Sequence, residues 1–187
     1  DAMNVNRQRA MVASFDELAR RPFGDGVNAL CWPRALAGDF QEVARQLAPD
    51  EGVRVIGASL LRSLRLSDAG RIAADCMLDD LRRLDALGLE PVLNCITSYP
   101  SDGRGFALAT DVMSFHVDRA PVEVDTWLCT YHGKGSEGLA NAEAQRLVDV
   151  PTIRAALLRD YGGPDDEGFA AFIRDESFDL HYAAAAN

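Results

Sequence analysis

A short segment in the middle of the chain places an imidazole two residues from a carboxylate. The segment is Phe115-His116-Val117-Asp118. Because side chains alternate between the two faces of an extended strand, His116 and Asp118 are expected on the same face. Two histidines and one carboxylate on one side of a site can bind non-haem iron and leave coordination positions open for substrate and oxygen. The segment therefore predicts two of the three ligands of such a site.

The third ligand has two candidates, because the chain contains three histidines in all. His181 lies far downstream, and His132 directly follows the next predicted strand. A ligand from a distant strand closes a site better than one from a neighbouring turn, so His181 is favoured and His132 is the alternative. The same residues also have a structural interpretation, since a histidine hydrogen-bonded to a nearby aspartate is a common satisfied polar pair.

The elements that hold these residues are predicted from helix caps and hydrophobic periodicity. Residues 1–90 are expected to be mainly helical. Ser14 and Asp39 are each followed three residues later by a glutamate, as in a capping box that opens a helix. Ser67 and Gly88 have the residue types of an N-cap and of a C-terminal glycine, and they bound a longer helix. Between the first two helices, the apolar run from Val27 to Trp32 favours a short strand.

The longer helix, from Asp68 to Leu87, is expected to pack through one apolar stripe. The stripe consists of Ile72, Cys76, Leu81, Leu84 and Leu87. The charged residues of the helix are expected to form a solvated face with local ion pairs. They are Asp79, Asp80, Arg82 and Arg83.

The sheet is predicted within residues 91–132, which are rich in β-forming residues and punctuated by turn signals. The three predicted strands are Pro91 to Tyr99, Asp111 to Ala120 and Val122 to Tyr131. Residues 139–187 return to helix, with Pro151 in the first turn of one helix and a second helix from about Asp165 to Arg174. Residues 1–187 are therefore predicted to be a single α+β domain, with a helical N-terminal half on a small, mainly antiparallel sheet.

The composition excludes several classes of function. The 187 residues carry a formal net charge of −10, whereas a nucleic-acid-binding face is basic. No stretch approaches the roughly 18 consecutive apolar residues of a membrane span, and residues 1–9 lack the apolar core of a signal peptide. The four cysteines form no C-x-x-C pair, which disfavours a zinc knuckle. We therefore expect a cytoplasmic protein that binds neither nucleic acid nor membranes, and a small-molecule substrate is the partner expected if the protein is an enzyme.

A glycine-rich run indicates a different chemistry. Residues 133–138 read GKGSEG, which matches G-x-G-x-x-G between a predicted strand and a predicted helix from Leu139 to Val148. This is the context of a dinucleotide-binding turn. Against it, Glu123 and Asp125 interrupt a strand that would be continuously apolar in a buried parallel sheet. A tight glycine-bearing turn is the simpler interpretation.

The histidine segment and the residues after it resemble an uncharacterised bacterial family, which is known as domain of unknown function 1826. The resemblance lies in Phe115-His116-x-Asp118 and in the string LCTYxGxGSE that starts at Leu128. Trp32 and Arg34 are similar to the N-terminal tryptophan–arginine segment of that family. The histidine pattern of the family is in turn similar to that of the iron(II)- and 2-oxoglutarate-dependent dioxygenases.

This resemblance implies a fold and a metal. The fold would be a double-stranded β-helix of the jelly-roll or cupin-like type, and this chain would form part of it. Iron(II) would be held by His116, Asp118 and a distal histidine, and 2-oxoglutarate would be the co-substrate. The family has further β-rich sequence, with a later histidine, beyond the region that corresponds to the end of this chain.

The resemblance also implies a basic anchor for the far carboxylate of 2-oxoglutarate. In the dioxygenases this residue follows the distal histidine, and no basic residue follows His181 here. Arg104 and Arg119 are the basic residues nearest to the motif, and Arg119 alternates away from the face of His116. Arg119 and Tyr131, which belongs to the matching string, are the candidate cofactor-binding residues. The alternative to a metal-dependent oxygenase is a non-enzymatic, partner-binding globular protein with a structural H-x-D, followed by a nucleotide-binding protein.

Overall fold

The computed structural model describes residues 8–99 and 103–185. Helices and strands are interspersed along the chain, which confirms the predicted α+β class. The α-helices are α1 (Phe15–Arg20), α2 (Phe40–Leu47), α3 (Ala58–Ser63), α4 (Asp68–Asp85), α5 (Pro151–Tyr161) and α6 (Glu167–Asp175). The strands are β1 (Arg9–Met11), β2 (Ala29–Cys31), β3 (Val53–Ile56), β4 (Leu93–Ile96), β5 (Phe115–His116), β6 (Ala144–Arg146) and β7 (His181–Ala184). Within this part of the chain, no helix has the length and apolar character needed to cross a membrane.

The chain divides into two compact units. The described residues of the first unit are 8–33, 103–127 and 137–185, and those of the second unit are 34–99 and 128–136. Each unit is built from segments that are distant in sequence. The prediction of a single domain stays a prediction.

The helix starts follow the predicted caps. The side chains of Ser14, Asp39 and Ser67 each accept a hydrogen bond from the backbone N–H three residues further on. These bonds satisfy N–H groups that have no partner inside the helix. Pro151 opens α5, and Gly162 ends it in the left-handed conformation, at φ 76°.

The second unit has its core between α2, α3 and α4. The buried residues of this core are Phe40, Val43, Leu47, Ile56, Leu61, Ala73, Ala74, Met77 and Leu78. The predicted stripe of α4 is wrong at its two ends, because Ile72 and Leu87 are exposed. The helix instead buries its small residues Ala73 and Ala74, which allow neighbouring backbone to approach closely.

Gly38 shows how close this approach is. Its φ is 117°, and a Cβ atom built on it would lie 2.5 Å from the backbone nitrogen of Ala73. Glycine is the residue that adopts such a backbone angle without steric cost. The close contact at Ala73 therefore selects the buried face of α4, and this tertiary effect is not visible in the spacing of large apolar residues.

Within the described residues 91–99 and 103–132 the predicted sheet is not formed, and the strands there pair with other parts of the chain in small sheets, of which the described residues contain three. β1 and β2 pair in parallel, β3 and β4 pair antiparallel, and β7 lies between β5 and β6 and is antiparallel to both. The helical N-terminal half thus contributes three strands, and the C-terminal segment contributes two. In residues 8–99 and 103–185, these sheets of two and three strands do not show a jelly roll, which has about eight strands.

Two predicted elements are not formed. Residues 122–131, all of them described, contain no strand. The side chains of residues 122–125 are all exposed, so neither face of this part of the segment is buried. The predicted helix of residues 139–148 is replaced by two short 3-10 turns on either side of β6. Pairing of β6 with β7 outweighs the local helical preference there.

The first unit places β5 beside a helical core. Its buried residues are Leu108, Val148, Leu157, Phe169, Ile173 and Phe178, drawn mainly from α5, α6 and the 3-10 turns around them. The predicted strand from Asp111 to Ala120 is reduced to β5. Residues 111–114 form a turn instead, in which the Asp111 side chain accepts the backbone N–H of Met113. Such local side-chain bonds compete with strand pairing.

Candidate functional site

Strand pairing in the first unit brings two histidines together. β5 pairs antiparallel with β7, and in this register His116 lies opposite His181. Their imidazole rings are stacked, with centroids 5.7 Å apart and an angle of 28° between the ring planes. His181 is 5% exposed. Of the two candidates for a third ligand, His181 is therefore the one that the structure places beside His116.

Asp118 lies next to the same imidazole. Its Oδ1 atom is 3.4 Å from His116 Nε2. The His116 side chain is 27% exposed and the Asp118 side chain 67% exposed, so both reach solvent. The other ring nitrogen of His116, Nδ1, lies 2.8 Å from the backbone oxygen of Ser114. The predicted proximity of His116 and Asp118 is thus present, although Asp118 lies beyond the end of β5.

These residues line an open groove of about 290 Å³. Asp111, Asp118, Asp175 and Glu176 contribute carboxylates to its lining. Arg104 and Arg119 are the arginines of the groove. With four carboxylates and two guanidinium groups, the lining favours cations over anions.

Arg119 lies in the groove of His116, so the expectation that it alternates away is wrong. The reason is that residues 117–120 are not in a strand, and strict alternation does not apply to them. The guanidinium of Arg119 donates to the backbone oxygen of Arg174. Arg104 pairs with the carboxylate of Glu176 and also donates to the hydroxyl of Thr110.

Tyr131, the other candidate cofactor-binding residue, belongs to the second unit, whereas the residues that line this groove belong to the first. Its hydroxyl donates to Asp80 Oδ2 at 2.8 Å, and its ring stacks on Phe40 with centroids 5.6 Å apart. Burial and the hydrogen bond to Asp80 both raise the pKa of the Tyr131 phenol. The phenol is thus held neutral inside the second unit.

Asp80 is a buried residue that the sequence interpretation assigned wrongly to a solvated face. It is 8% exposed, and it accepts hydrogen bonds from both Tyr131 and Arg34. Arg34 also contacts the sulfur of Cys76, at 3.5 Å. Residue 80 follows Ala73 and Met77 at helical spacing, so its position on the buried face was present in the sequence. Arg34, Asp80 and Tyr131 form one buried polar network in the second unit.

The structure also describes His132, the alternative third ligand, and the glycine run that follows it. His132 is exposed and belongs to the second unit. Gly133 adopts a φ of 89°, as in a tight turn. Within residues 122–148, all described, neither the strand nor the helix that frames a dinucleotide-binding turn is formed.

The groove shows only part of the geometry of a three-ligand metal site. Among residues 8–99 and 103–185, no three His, Cys, Asp or Glu side chains are arranged to hold a metal ion. His116 and Asp118 approach each other closely, and the His181 ring is stacked on the His116 ring. The groove thus contains the three residue types of an iron site without the convergence of three ligands on one point.

Comparison with models of known protein families finds none that matches this chain. Comparisons with curated proteins and with solved structures give no match either. The resemblance to domain of unknown function 1826 therefore stays a prediction.

Proposed function

We propose that the groove around His116 binds a divalent metal ion, with iron(II) as the candidate, and that the protein is an oxygenase acting on a small molecule. The observation that supports this proposal is the pair formed by His116 Nε2 and Asp118 Oδ1, 3.4 Å apart at the edge of an acidic groove. Nitrogen and carboxylate donors with solvent access are the ligand types of non-haem iron sites.

The hydrogen bonding of His116 fits the role of a metal ligand. The Ser114 carbonyl can only accept, so His116 Nδ1 carries a hydrogen, and in the neutral ring Nε2 has the lone pair. A lone pair facing a carboxylate oxygen at 3.4 Å is repulsive unless a proton or a cation lies between them. A bound cation removes this repulsion, and Asp118 then neutralises part of its charge.

A complete ligand set requires side chains to move. His181 is the proposed third ligand, and its ring is stacked on His116 rather than aimed at the space between His116 and Asp118. Asp118 is the most exposed of the three side chains and lies outside a strand, so it is the one best able to move. Bound iron(II) would supply the activation of oxygen.

For a carboxylate co-substrate such as 2-oxoglutarate, Arg119 is the better of the two candidate anchors. Its guanidinium donates to a neutral backbone oxygen, whereas Arg104 is paired with the carboxylate of Glu176. A ligand carboxylate at Arg104 would have to displace that of Glu176, while at Arg119 it would displace a neutral acceptor.

The alternative function is a non-enzymatic, partner-binding role in which the histidines are structural. It is favoured by His181, which is almost fully buried and is hydrogen-bonded through Nδ1 to the Ser114 hydroxyl at 2.7 Å. In this interpretation the two histidines are satisfied polar groups of a small sheet.

Metal stoichiometry distinguishes the two functions. The protein is purified without oxygen, titrated with Fe(II) and analysed for bound metal, as wild type and as His116→Ala, Asp118→Ala and His132→Ala. We expect about one iron per chain in wild type and His132→Ala. In the other two variants we expect the affinity for iron to fall at least about tenfold, because mutating even a residue that only hydrogen-bonds to a metal ligand lowers metal affinity by about that factor. Absence of stoichiometric iron from the wild type would contradict the proposal.

A further inference from the structure

Ser114 contacts both histidines of the groove. Its hydroxyl oxygen lies 2.7 Å from His181 Nδ1, and its backbone oxygen lies 2.8 Å from His116 Nδ1. Ser114, one position before β5, therefore lies within hydrogen-bond distance of Nδ1 in each of the two stacked imidazoles.

The hydroxyl of Ser114 has a further partner, and this partner fixes the direction of its hydrogen bonds. The backbone oxygen of Asp111 lies 3.2 Å from Ser114 Oγ and can only accept. A serine hydroxyl has one hydrogen, and donating it to Asp111 leaves only lone pairs for His181. His181 Nδ1 must then carry the hydrogen of the 2.7 Å contact. The opposite arrangement would place two acceptor oxygens, Ser114 Oγ and the Asp111 carbonyl, against each other.

The same hydrogen position follows for His116 by a simpler route. Its Nδ1 faces a carbonyl oxygen, which has no hydrogen to give. Both neutral imidazoles are thus set with hydrogen on Nδ1 and the lone pair on Nε2. The hydrogen bond made by one ring nitrogen decides which tautomer a histidine adopts.

We propose that Ser114 is a positioning residue that holds His116 and His181 in the same tautomer, with Nε2 of each ring as the electron-pair donor. The two tautomers are inferred from the hydrogen bonds alone, whereas a role for them in metal binding depends on the proposed function. Ligating histidines usually donate their other ring hydrogen to a carboxylate, carbonyl or similar acceptor, which orients the ring. Here one serine would provide that acceptor twice, once through its side chain and once through its backbone.

The two contacts can be separated by mutation. Ser114→Ala removes the hydroxyl and keeps the carbonyl, so His181 loses its acceptor while His116 retains its own. Ser114→Thr keeps a hydroxyl at the same position and serves as the matched control. We expect the tautomer of His181 to change in Ser114→Ala and to be restored in Ser114→Thr, with His116 unchanged in both.

Long-range ¹H–¹⁵N NMR of the histidine rings reports which nitrogen carries the hydrogen. Spectra are recorded without metal at about pH 9, well above the ordinary histidine pKa of about 6.5. We expect hydrogen on Nδ1 of both His116 and His181 in the wild type. Hydrogen on Nε2 of His181 in the wild type would overturn the inference without any variant, and so would an unchanged His181 tautomer in a folded Ser114→Ala.

Zinc titration of the same samples separates this inference from the proposed function. If the groove binds metal, Ser114→Ala should weaken Zn(II) binding by about 10- to 100-fold and Ser114→Thr should restore it. Absence of Zn(II) binding in the wild type, together with the expected tautomers, would refute the metal function and leave the positioning role of Ser114 supported.

Discussion

The buried network of Arg34, Asp80 and Tyr131 predicts a specific loss of stability in Tyr131→Phe. This change removes one O–H donor from Asp80, which is 8% exposed, and keeps the ring that stacks on Phe40. A hydrogen bond to a charged group is worth about 1.5–3 kcal/mol. Since Arg34 continues to pair with Asp80, we expect the lower part of this range, about 1.5–2 kcal/mol.

A larger loss is expected when the carboxylate itself is removed. Asp80→Ala deletes the partner of both Tyr131 and Arg34, and the guanidinium side of this ion pair is 19% exposed. Breaking a buried pair by removing one member costs about 3–5 kcal/mol. Asp80→Ala should therefore destabilise the second unit by at least about 3 kcal/mol.

Hydrogen exchange of the α4 backbone amides measures these losses within the second unit itself. A loss of about 1.5–2 kcal/mol corresponds to exchange about 10- to 30-fold faster at amides that exchange through opening of the core. Tyr99→Phe is the matched control, because Tyr99 belongs to the same unit and is 46% exposed. Equal exchange rates of α4 in Tyr131→Phe and Tyr99→Phe would refute the assigned role of the network.

Three further predictions concern the cores and one helix cap. Leu157→Ala, at a fully buried position of the first unit, should lower the free energy of unfolding in urea by about 2–5 kcal/mol; a loss below about 1 kcal/mol would contradict the assigned core. Gly38→Ala combines a positive φ with a Cβ placed 2.5 Å from the nitrogen of Ala73, so it should cost more than about 1 kcal/mol in the same assay, and a neutral effect would count against the close approach. Glu42 accepts hydrogen bonds from the Ser67 hydroxyl and N–H, which lower the pKa of its carboxyl. The stabilisation of the folded state by the Glu42 carboxylate is therefore present above about pH 4.3, and it is lost as the pH falls through the lowered pKa. Glu42→Gln should flatten this acid dependence of the urea midpoint, and an unchanged dependence would contradict the assignment.

Local signals in the sequence predicted where α1, α2 and α4 begin, whereas the pairing of strands into sheets could not be predicted. Caps such as Ser67 depend on residues within one turn, so the sequence contains the whole signal. Strand pairing depends on partners far along the chain, such as β4 with β3 and β5 with β7. The segment from Val122 to Tyr131 has strand-like alternation, but alternation alone supplies no hydrogen-bonding neighbour.

The same difference between local and long-range signals applies to the candidate site. The proximity of His116 and Asp118 follows from two residues of local chain, and the sequence predicted it. The position of His181 opposite His116 depends on the register of β5 and β7, so the sequence alone left His181 as one of two candidates. Asp80 was missed because its charge suggested solvent, although its helical position relative to Ala73 indicated burial.

The central claim, that His116 binds a metal in the groove with Asp118, is tested most directly by X-ray absorption spectroscopy of the Fe(II)-loaded protein. Imidazole ligands give a characteristic outer-shell scattering. We predict that this scattering is present in wild type and in His132→Ala and is reduced in His116→Ala. Identical imidazole scattering in all three proteins, or no bound iron in the wild type, would contradict the claim.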